Sequence, residues 1–267
     1  MPQTRSQTTS QTRTKTRLTT RSKPAPQLTV APPYFSKEAM TFLRGLKRNN
    51  DREWFAARRE IYEREVKRPM LAVIERVTDA MAEFAPAHVR PAEKSIMRIY
   101  RDTRFSADKS PYKAHVAAWW THSGLSRTSG GGYYFHVSPN EVVIAAGIYM
   151  PEREQLLAIR MQLLQQHEEL RRLLNDKKLR KVMDLDLNTR ALTRPPKGFP
   201  VDHPGIDLIR QQQWGVEAVL PGEAALDKDF AEEVALRFRL AAPIVDFLNR
   251  TLAGNVEKKK QYIFKLI

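Results

Sequence analysis

Apolar residues recur at helical spacing between residues 36 and 84, and this pattern predicts three helices. Ser36 is a suitable N-cap for the first helix. The second begins within the sequence NNDREWF, in which Asn50 and Glu53 have the spacing of a capping box and Asp51 also favours a helix N-terminus. The third begins near Pro69, because proline fits the first turn of a helix. The N-terminal part of the fold is therefore expected to be helical.

The apolar pattern changes to a period of two between residues 95 and 149, which predicts strands. GYYFHV and EVVIAAGIY flank the turn sequence Ser-Pro-Asn and predict a hairpin. Residues 96–101 and 112–120 are predicted to be two neighbouring strands joined by DTRFSADKSP, with Phe105 anchoring this connection in the core. One more strand is predicted near residues 211–219.

Helical spacing returns in the last part of the chain, from Pro151 to about residue 174 and again after Asp227. Pro243 is expected to kink or divide the final helix, because its ring displaces a backbone hydrogen bond. Helices, then strands, then helices predict an α+β fold. We expect a single domain over residues 34–253, with a mostly antiparallel sheet packed by N- and C-terminal helices.

Both ends of the chain differ from this pattern. Residues 1–33 are rich in Thr, Gln, Ser and Arg, carry six basic residues without an acid, and lack apolar periodicity. Such a segment cannot bury enough surface to offset its ordering entropy, so a disordered basic tail is predicted. Its composition also fits an organelle transit peptide. Residues 254–267 are predicted to form a basic C-terminal tail.

Composition narrows the function classes. The chain has no cysteine, which excludes disulfides, thiolate metal sites and a cysteine nucleophile. No apolar run approaches the roughly 18 residues that a membrane helix needs, and we expect a cytoplasmic protein. The net charge is +15, and removing the six cations of the tail leaves +9 on the rest. This excess indicates an anionic partner, for example nucleic acid or a phosphorylated ligand.

The densest charge lies in residues 98–113, RIYRDTRFSADKSPYK, with five basic and two acidic side chains. In one interpretation this segment is structural, and the two carboxylates form bidentate ion pairs that tie the loop to the N-terminal helices. Two carboxylates cannot neutralise five cations, however. The surplus must face solvent, meet acids from elsewhere or meet an anion.

The second interpretation is an anion site, because guanidinium groups match phosphate and hydroxyl groups can add hydrogen bonds. Tyr100 and Tyr112 could stack on a base or a sugar. This hypothesis predicts a nucleotide or nucleic acid as the partner. The predicted ligand-binding residues are Arg98, Arg101, Arg104, Ser106, Lys109, Tyr112 and Lys113.

An enzyme acting on a phosphate-containing substrate is the third interpretation, with Asp102 or Asp108 as base or metal ligand. The chain lacks the HExxH and GxSxG motifs, and its glycine-rich loop at 121–132 lacks the spacing of a phosphate-binding P-loop. His115 and His136 could meet across paired strands, although strand histidines are more often structural. No metal site and no particular cofactor is predicted.

The charged segment resembles the motif of a widespread bacterial family of unknown function. Its pattern is met by Arg98, Arg101, Asp102, Arg104, Phe105, Asp108, Lys109 and Tyr112. Similar landmarks are LKRNNDREWF, GGYYFHVSPNEVVIAAGIYMPE and PPKGFPVDHP, so the resemblance covers roughly residues 35–252. It implies a single domain, usually bacterial, with related regions inside longer fungal proteins. It implies no activity.

Overall fold

The computed structural model describes residues 31–125, 130–185 and 191–264, with side chains described as far as residue 253. Within these ranges the strands form a five-stranded antiparallel sheet in the order β1-β2-β3-β5-β4. The predicted α+β class is therefore confirmed. The predicted disordered tail lies outside the described residues, apart from residues 31–33.

Helices precede and follow the sheet in the chain. They are α1 Lys37–Arg48, α2 Arg52–Ala56, α3 Arg59–Ile61, α4 Arg68–Phe84, α5 Ala92–Ser95, α6 Arg153–Leu174, α7 Ile206–Ile209 and α8 Phe230–Phe264. The strands are β1 Val116–Thr121, β2 Gly132–Val137, β3 Glu141–Ile148, β4 Asp184–Leu185 and β5 Trp214–Pro221. A π-helical turn, Tyr62–Lys67, joins α3 to α4, and 3-10 turns lie at Pro86–His88, Leu179–Lys181 and Gly222–Leu226.

The predicted hairpin is formed by β2 and β3, with Val137 opposite Val142. The Ser138 hydroxyl accepts a hydrogen bond from the backbone N–H of Glu141 at 3.1 Å and so closes the turn. β5 confirms the strand predicted near residues 211–219 and pairs with β3 along its whole length.

One face of the sheet packs on helices and forms the core. Trp120 and Phe135 on this face contact the α8 rings of Phe238 and Phe230, with ring centroids 5.6 and 6.1 Å apart. Trp120 also donates its indole N–H to the Thr78 hydroxyl of α4 at 2.9 Å, which satisfies a fully buried polar group. α4 and α8 therefore support the sheet from this side.

The opposite face of the sheet is open. Side chains alternate between the two faces of a strand, and in β2, β3 and β5 those that point away from α8 are half-buried or exposed. Trp119, Tyr134, Ala145 and Glu217 lie opposite one another in one row across four strands of this face. This open face carries the cavity described below.

The strand predicted over residues 96–101 is wrong. That segment makes only two isolated bridges, Ile96 with Ala118 and Tyr100 with Tyr112. The first segment advances by four residues between the bridges, from Ile96 to Tyr100, whereas its partner advances by six, from Tyr112 to Ala118. The two extra residues of the partner interrupt the hydrogen-bond ladder. The strand predicted over residues 112–120 begins only at Val116 for the same reason.

Pro243 is expected to kink or divide the final helix, and it does not divide it, since α8 runs from Phe230 to Phe264 without a break. Its backbone is helical through most of residues 254–267, for which a basic tail is predicted. None of the helices in the described part of the chain is both long enough and apolar enough to cross a membrane.

Candidate functional site

The charged segment is attached to the N-terminal helices by Asn50. The side-chain amide of Asn50 donates to the backbone carbonyl of Tyr112 at 2.9 Å and accepts from the backbone N–H of Tyr112 at 3.0 Å. Asn50 therefore does not cap α2 as predicted. The N-cap of α2 is Asp51, whose carboxylate accepts from the backbone N–H of Trp54.

Tyr112 is part of this attachment and not an open platform. Its side chain is only 5% exposed and stacks on Phe55 of α2, with ring centroids 4.2 Å apart. Tyr100 lies on it from another side at 5.3 Å and is half exposed. The structure therefore leaves Tyr100, and not Tyr112, with ring surface that a ligand can reach.

The two carboxylates of the segment pair with two of its arginines. Asp102 accepts two hydrogen bonds from the Arg104 guanidinium, at 3.0 and 2.7 Å, in a bidentate arrangement. Asp108 forms an ion pair with Arg101. The predicted bidentate geometry is present for Arg104, but both pairs lie within the loop and do not reach the N-terminal helices. The attachment to those helices is made by an amide and an aromatic ring instead.

Other predicted residues support the same loop. Lys109 donates to the backbone carbonyl of Thr103 at 3.0 Å, and Arg101 donates to the Ser106 hydroxyl at 3.4 Å. Phe105 is 95% exposed, so the prediction that it anchors the loop in the core is wrong. The loop is held by ion pairs and by bonds to its own backbone, and an apolar anchor is not needed.

Arg98 and Lys113 differ from the other cations. Neither has an ion-pair or side-chain hydrogen-bond partner among the described residues. Burial, and then the neighbouring charge of Arg98, lower the pKa of Lys113. Hydrogen bonds from Arg104, and then the charge of Arg98, lower the pKa of Asp102. Two cations thus lie close together, one of them half-buried, without an ion pair among the described residues.

The candidate catalytic carboxylates are held ionised. Hydrogen bonds from the Arg104 side chain lower the pKa of Asp102 to about 2, and hydrogen bonds from Ser110 and then Arg101 lower the pKa of Asp108. Neither residue lines the cavity on the open face. An acid–base role favours a carboxyl whose pKa is raised in an enclosed site. The geometry therefore supports these residues as partners of arginine.

His115 and His136 meet as predicted, with ring centroids 4.8 Å apart. Burial lowers the pKa of His115 to about 4 and also lowers the pKa of His136. The Tyr134 hydroxyl lies 3.1 Å from His136 Nδ1, and Glu141 lies 3.7 Å from His136 Nε2. Burial therefore favours the neutral form of both histidines, and His136 is oriented from two sides.

A cavity of about 490 Å³ lies on the open face of the sheet. Its volume falls in the range typical of small-molecule sites. Residues of all the longer strands line it together with residues 213 and 149 near strand ends. The lining includes Met97, Trp119, Tyr134, His136, Ala145 and Glu217.

Sequence adjacency, charge effects and one ring contact relate the cavity to Arg98 and Lys113. Met97, which lines the cavity, directly precedes Arg98. The charge of Arg98 acts on Lys113, the charge of Lys113 acts on His115, and His115 lies against His136 in the cavity lining. The basic segment therefore lies near the histidine pair at the open face, although neither Arg98 nor Lys113 lines the cavity.

A family model described as conserved hypothetical protein, DUF2461, matches residues 38–247. The chain belongs to the DUF2461 family. This confirms the resemblance found from the sequence motifs, and the matched region includes both the charged segment and the cavity. No curated protein sequence matches the chain.

Sequence reasoning located the charged segment of this DUF2461 chain but not the cavity. The structure brings Arg98 and Lys113 together, uses Arg101, Arg104, Ser106 and Lys109 within the loop, and buries Tyr112. The sequence pattern predicts Trp119 and Tyr134 only as strand residues. The available signal was the alternation of small residues in VVIAAGI, which leaves one face of β3 without large side chains.

Proposed function

We propose that this chain binds a phosphate-bearing ligand, a nucleotide or nucleic acid, and that Arg98 and Lys113 are the cations that contact its phosphate. The proposal rests on how the charges of the segment are paired. Its two carboxylates are taken by Arg101 and Arg104, while Arg98 and Lys113 have no such partner among the described residues.

The energetics support an anion at this position. A half-buried ammonium group loses hydration, and a second cation beside it adds repulsion. Both effects lower the pKa of Lys113. A bound phosphate would reverse both, since it supplies hydrogen-bond acceptors and negative charge. An unliganded site with these properties is less stable than the same site with its ligand.

The remaining residues of the segment have supporting parts in this proposal. Arg101, Arg104 and Ser106 hold the shape of the loop, and Lys109 adds long-range positive charge. Tyr100 offers a half-exposed ring for stacking. Binding is favoured over catalysis, because Asp102 and Asp108 are ion-paired and do not line the cavity.

Thermal melts with inorganic pyrophosphate test the proposal. At ten times the Kd, mass action adds about 1.4 kcal/mol to the stability of the wild type, which corresponds to a Tm increase of about 3–6 °C. Arg98→Gln and Lys113→Met should lose this shift. Without ligand, neither substitution should lower the Tm, since each removes repulsion.

Arg104→Gln is the matched control, because it removes a cation of the same segment that is already paired with Asp102. This variant should keep the pyrophosphate shift. The proposal fails if the wild type shows no shift with pyrophosphate, nucleotides and a short oligonucleotide. It also fails if pyrophosphate raises the Tm of Lys113→Met as much as it raises the Tm of the wild type.

A further inference from the structure

A row of glycines crosses the open face where the cavity lies. Gly132, Gly147 and Gly215 lie opposite one another on β2, β3 and β5. Gly147 has φ of 141°, and a Cβ there would overlap the backbone carbonyl of Trp214. Backbone geometry thus demands glycine, and the consequence is a strip of sheet that carries no side chains.

Aromatic and small side chains border this strip. Trp119 and Tyr134 stand opposite each other in the adjoining row, and Ala145 follows them on β3. Met97 approaches from the irregular segment before the charged loop. Large flat rings beside a floor of backbone and methyl groups suit a planar ring system, which can lie against the aromatic faces.

A few polar groups are placed within this apolar lining. His136 lies against Tyr134 and Glu141, and Glu217 comes from β5. Pockets for small molecules typically combine mostly apolar walls with a small number of such groups, which fix the orientation of the ligand. A ring with nitrogen or amino substituents could use these donors and acceptors.

The charges around the cavity are unequal at its two sides. The described residues that line the cavity include no lysine or arginine, which disfavours an anionic group inside. On the side of Met97, the next residue in the chain is Arg98, whose charge acts on Lys113. A ligand with one neutral planar part and one anionic part would therefore be oriented, with its ring inside and its anion at the cations.

We infer that the cavity binds the base of a free nucleotide, a nucleoside monophosphate being the simplest form, while Arg98 and Lys113 bind its phosphate. This inference rests on the proposed function and narrows its ligand from nucleotide or nucleic acid to a single nucleotide. A cavity of about 490 Å³ has room for one base and its sugar, whereas a basic surface that tracks a polymer would be open and elongated.

Isothermal titration with AMP, adenosine and ribose 5-phosphate separates the two parts of the site. In the wild type, AMP should bind about five- to hundredfold more tightly than ribose 5-phosphate, because it adds base stacking. Ala145→Leu fills the cavity, so its affinity for AMP should fall to that for ribose 5-phosphate. Arg98→Gln should bring the affinity for AMP down to that for adenosine.

Two further variants guard against effects on folding. Val219→Leu enlarges an exposed residue of β5 that does not line the cavity, and it should bind AMP like the wild type. Trp119→Leu removes aromatic surface without filling the cavity. It should weaken AMP binding and leave ribose 5-phosphate binding unchanged.

The possible failures are distinguishable. Equal affinity of the wild type for AMP and ribose 5-phosphate overturns the inference and leaves the proposed function standing. Equal affinity for AMP and adenosine, unchanged in Arg98→Gln, overturns the proposed function. Absence of binding by all three compounds overturns the inference, and the proposed function falls with it if pyrophosphate and the short oligonucleotide also fail to bind.

Discussion

At the scale of single residues, Asn50 has the clearest structural role. The side-chain amide of Asn50 hydrogen-bonds to both the backbone N–H and the backbone C=O of Tyr112. These two bonds take the place of a neighbouring strand where the ladder is interrupted. Buried backbone groups that lose their partners are costly. The position of the charged loop therefore depends on one neutral side chain more than on its ion pairs.

Asn50→Ala should lower the free energy of unfolding by about 1–3 kcal/mol, because it leaves the N–H and C=O of Tyr112 without these bonds. Asn49→Ala is the neighbouring control, since Asn49 donates a single exposed hydrogen bond to Gly45 within α1. Urea unfolding of both variants measures the difference. Equal and small effects of the two substitutions would contradict the role assigned to Asn50.

Arg101→Ala should be mild by comparison. The side chains of Arg101 and Asp108 are 27% and 58% exposed, and ion pairs that water can reach contribute little to stability. We expect the Tm to change by less than about 3 °C. A much larger drop in a thermal melt would show that this pair is a structural anchor of the loop.

At the scale of elements, the turn Pro86–His88 makes stability depend on pH. Its His88 is buried between Tyr133 and His122 and bonded to the Gly131 carbonyl at 3.2 Å. Burial lowers the pKa of His88 to about 4. The unfolded chain therefore binds more protons than the native one between pH 6.5 and 4, so acid destabilises the fold in that window.

The full shift of His88 from 6.5 to about 4 corresponds to roughly 3 kcal/mol of stability, present above pH 6.5 and lost as the pH falls to 4. Urea unfolding between pH 7 and pH 4 should show this loss in the wild type. His88→Gln should reduce the slope, with His115 and His136 accounting for part of the remainder. If the free energy of unfolding depends on pH identically in the two proteins, His88 is excluded as a source of the acid destabilisation.

Local patterns sufficed to predict several elements. The hairpin of β2 and β3, the strand β5 and the α+β class follow from periodicity and turn residues, which act over a few positions. The meeting of His115 and His136 follows from pairing of neighbouring strands. These features need no knowledge of distant contacts.

Features set by distant contacts could not be predicted. The break after Ile96 depends on a two-residue mismatch with a segment later in the chain, and Asn50 finds its partner 62 residues away. The cavity arises only when the glycines of three strands fall into one row. The exposure of Phe105 likewise depends on where the loop lies, which its own sequence does not determine.

At the scale of the whole molecule, the net charge of +15 predicts salt-sensitive, sequence-independent association with nucleic acid. Log affinity for duplex DNA should fall with log salt by roughly 0.9 for each phosphate contact. Fluorescence anisotropy of full-length protein and of a form lacking residues 1–30 measures this slope. No binding by either form at low salt would contradict the prediction.

The molecule as a whole brings a basic loop, held by the N-terminal helices, next to the open face of a sheet that is supported from behind by α4 and α8. Each part contributes something different to one candidate site: Arg98 and Lys113 provide charge, and the sheet provides an aromatic cavity. We expect a single ligand to occupy both the aromatic cavity and the position beside Arg98 and Lys113.

A crystal structure of the protein with AMP tests this claim most directly. We expect the phosphate within hydrogen-bonding distance, about 2.7–3.2 Å, of the Arg98 guanidinium and of Lys113 Nζ. The adenine should lie in the cavity beside Trp119 and Tyr134, with Arg101 still paired to Asp108. AMP bound away from the cavity, or with its phosphate on Arg101 or Arg104 instead, would contradict the claim.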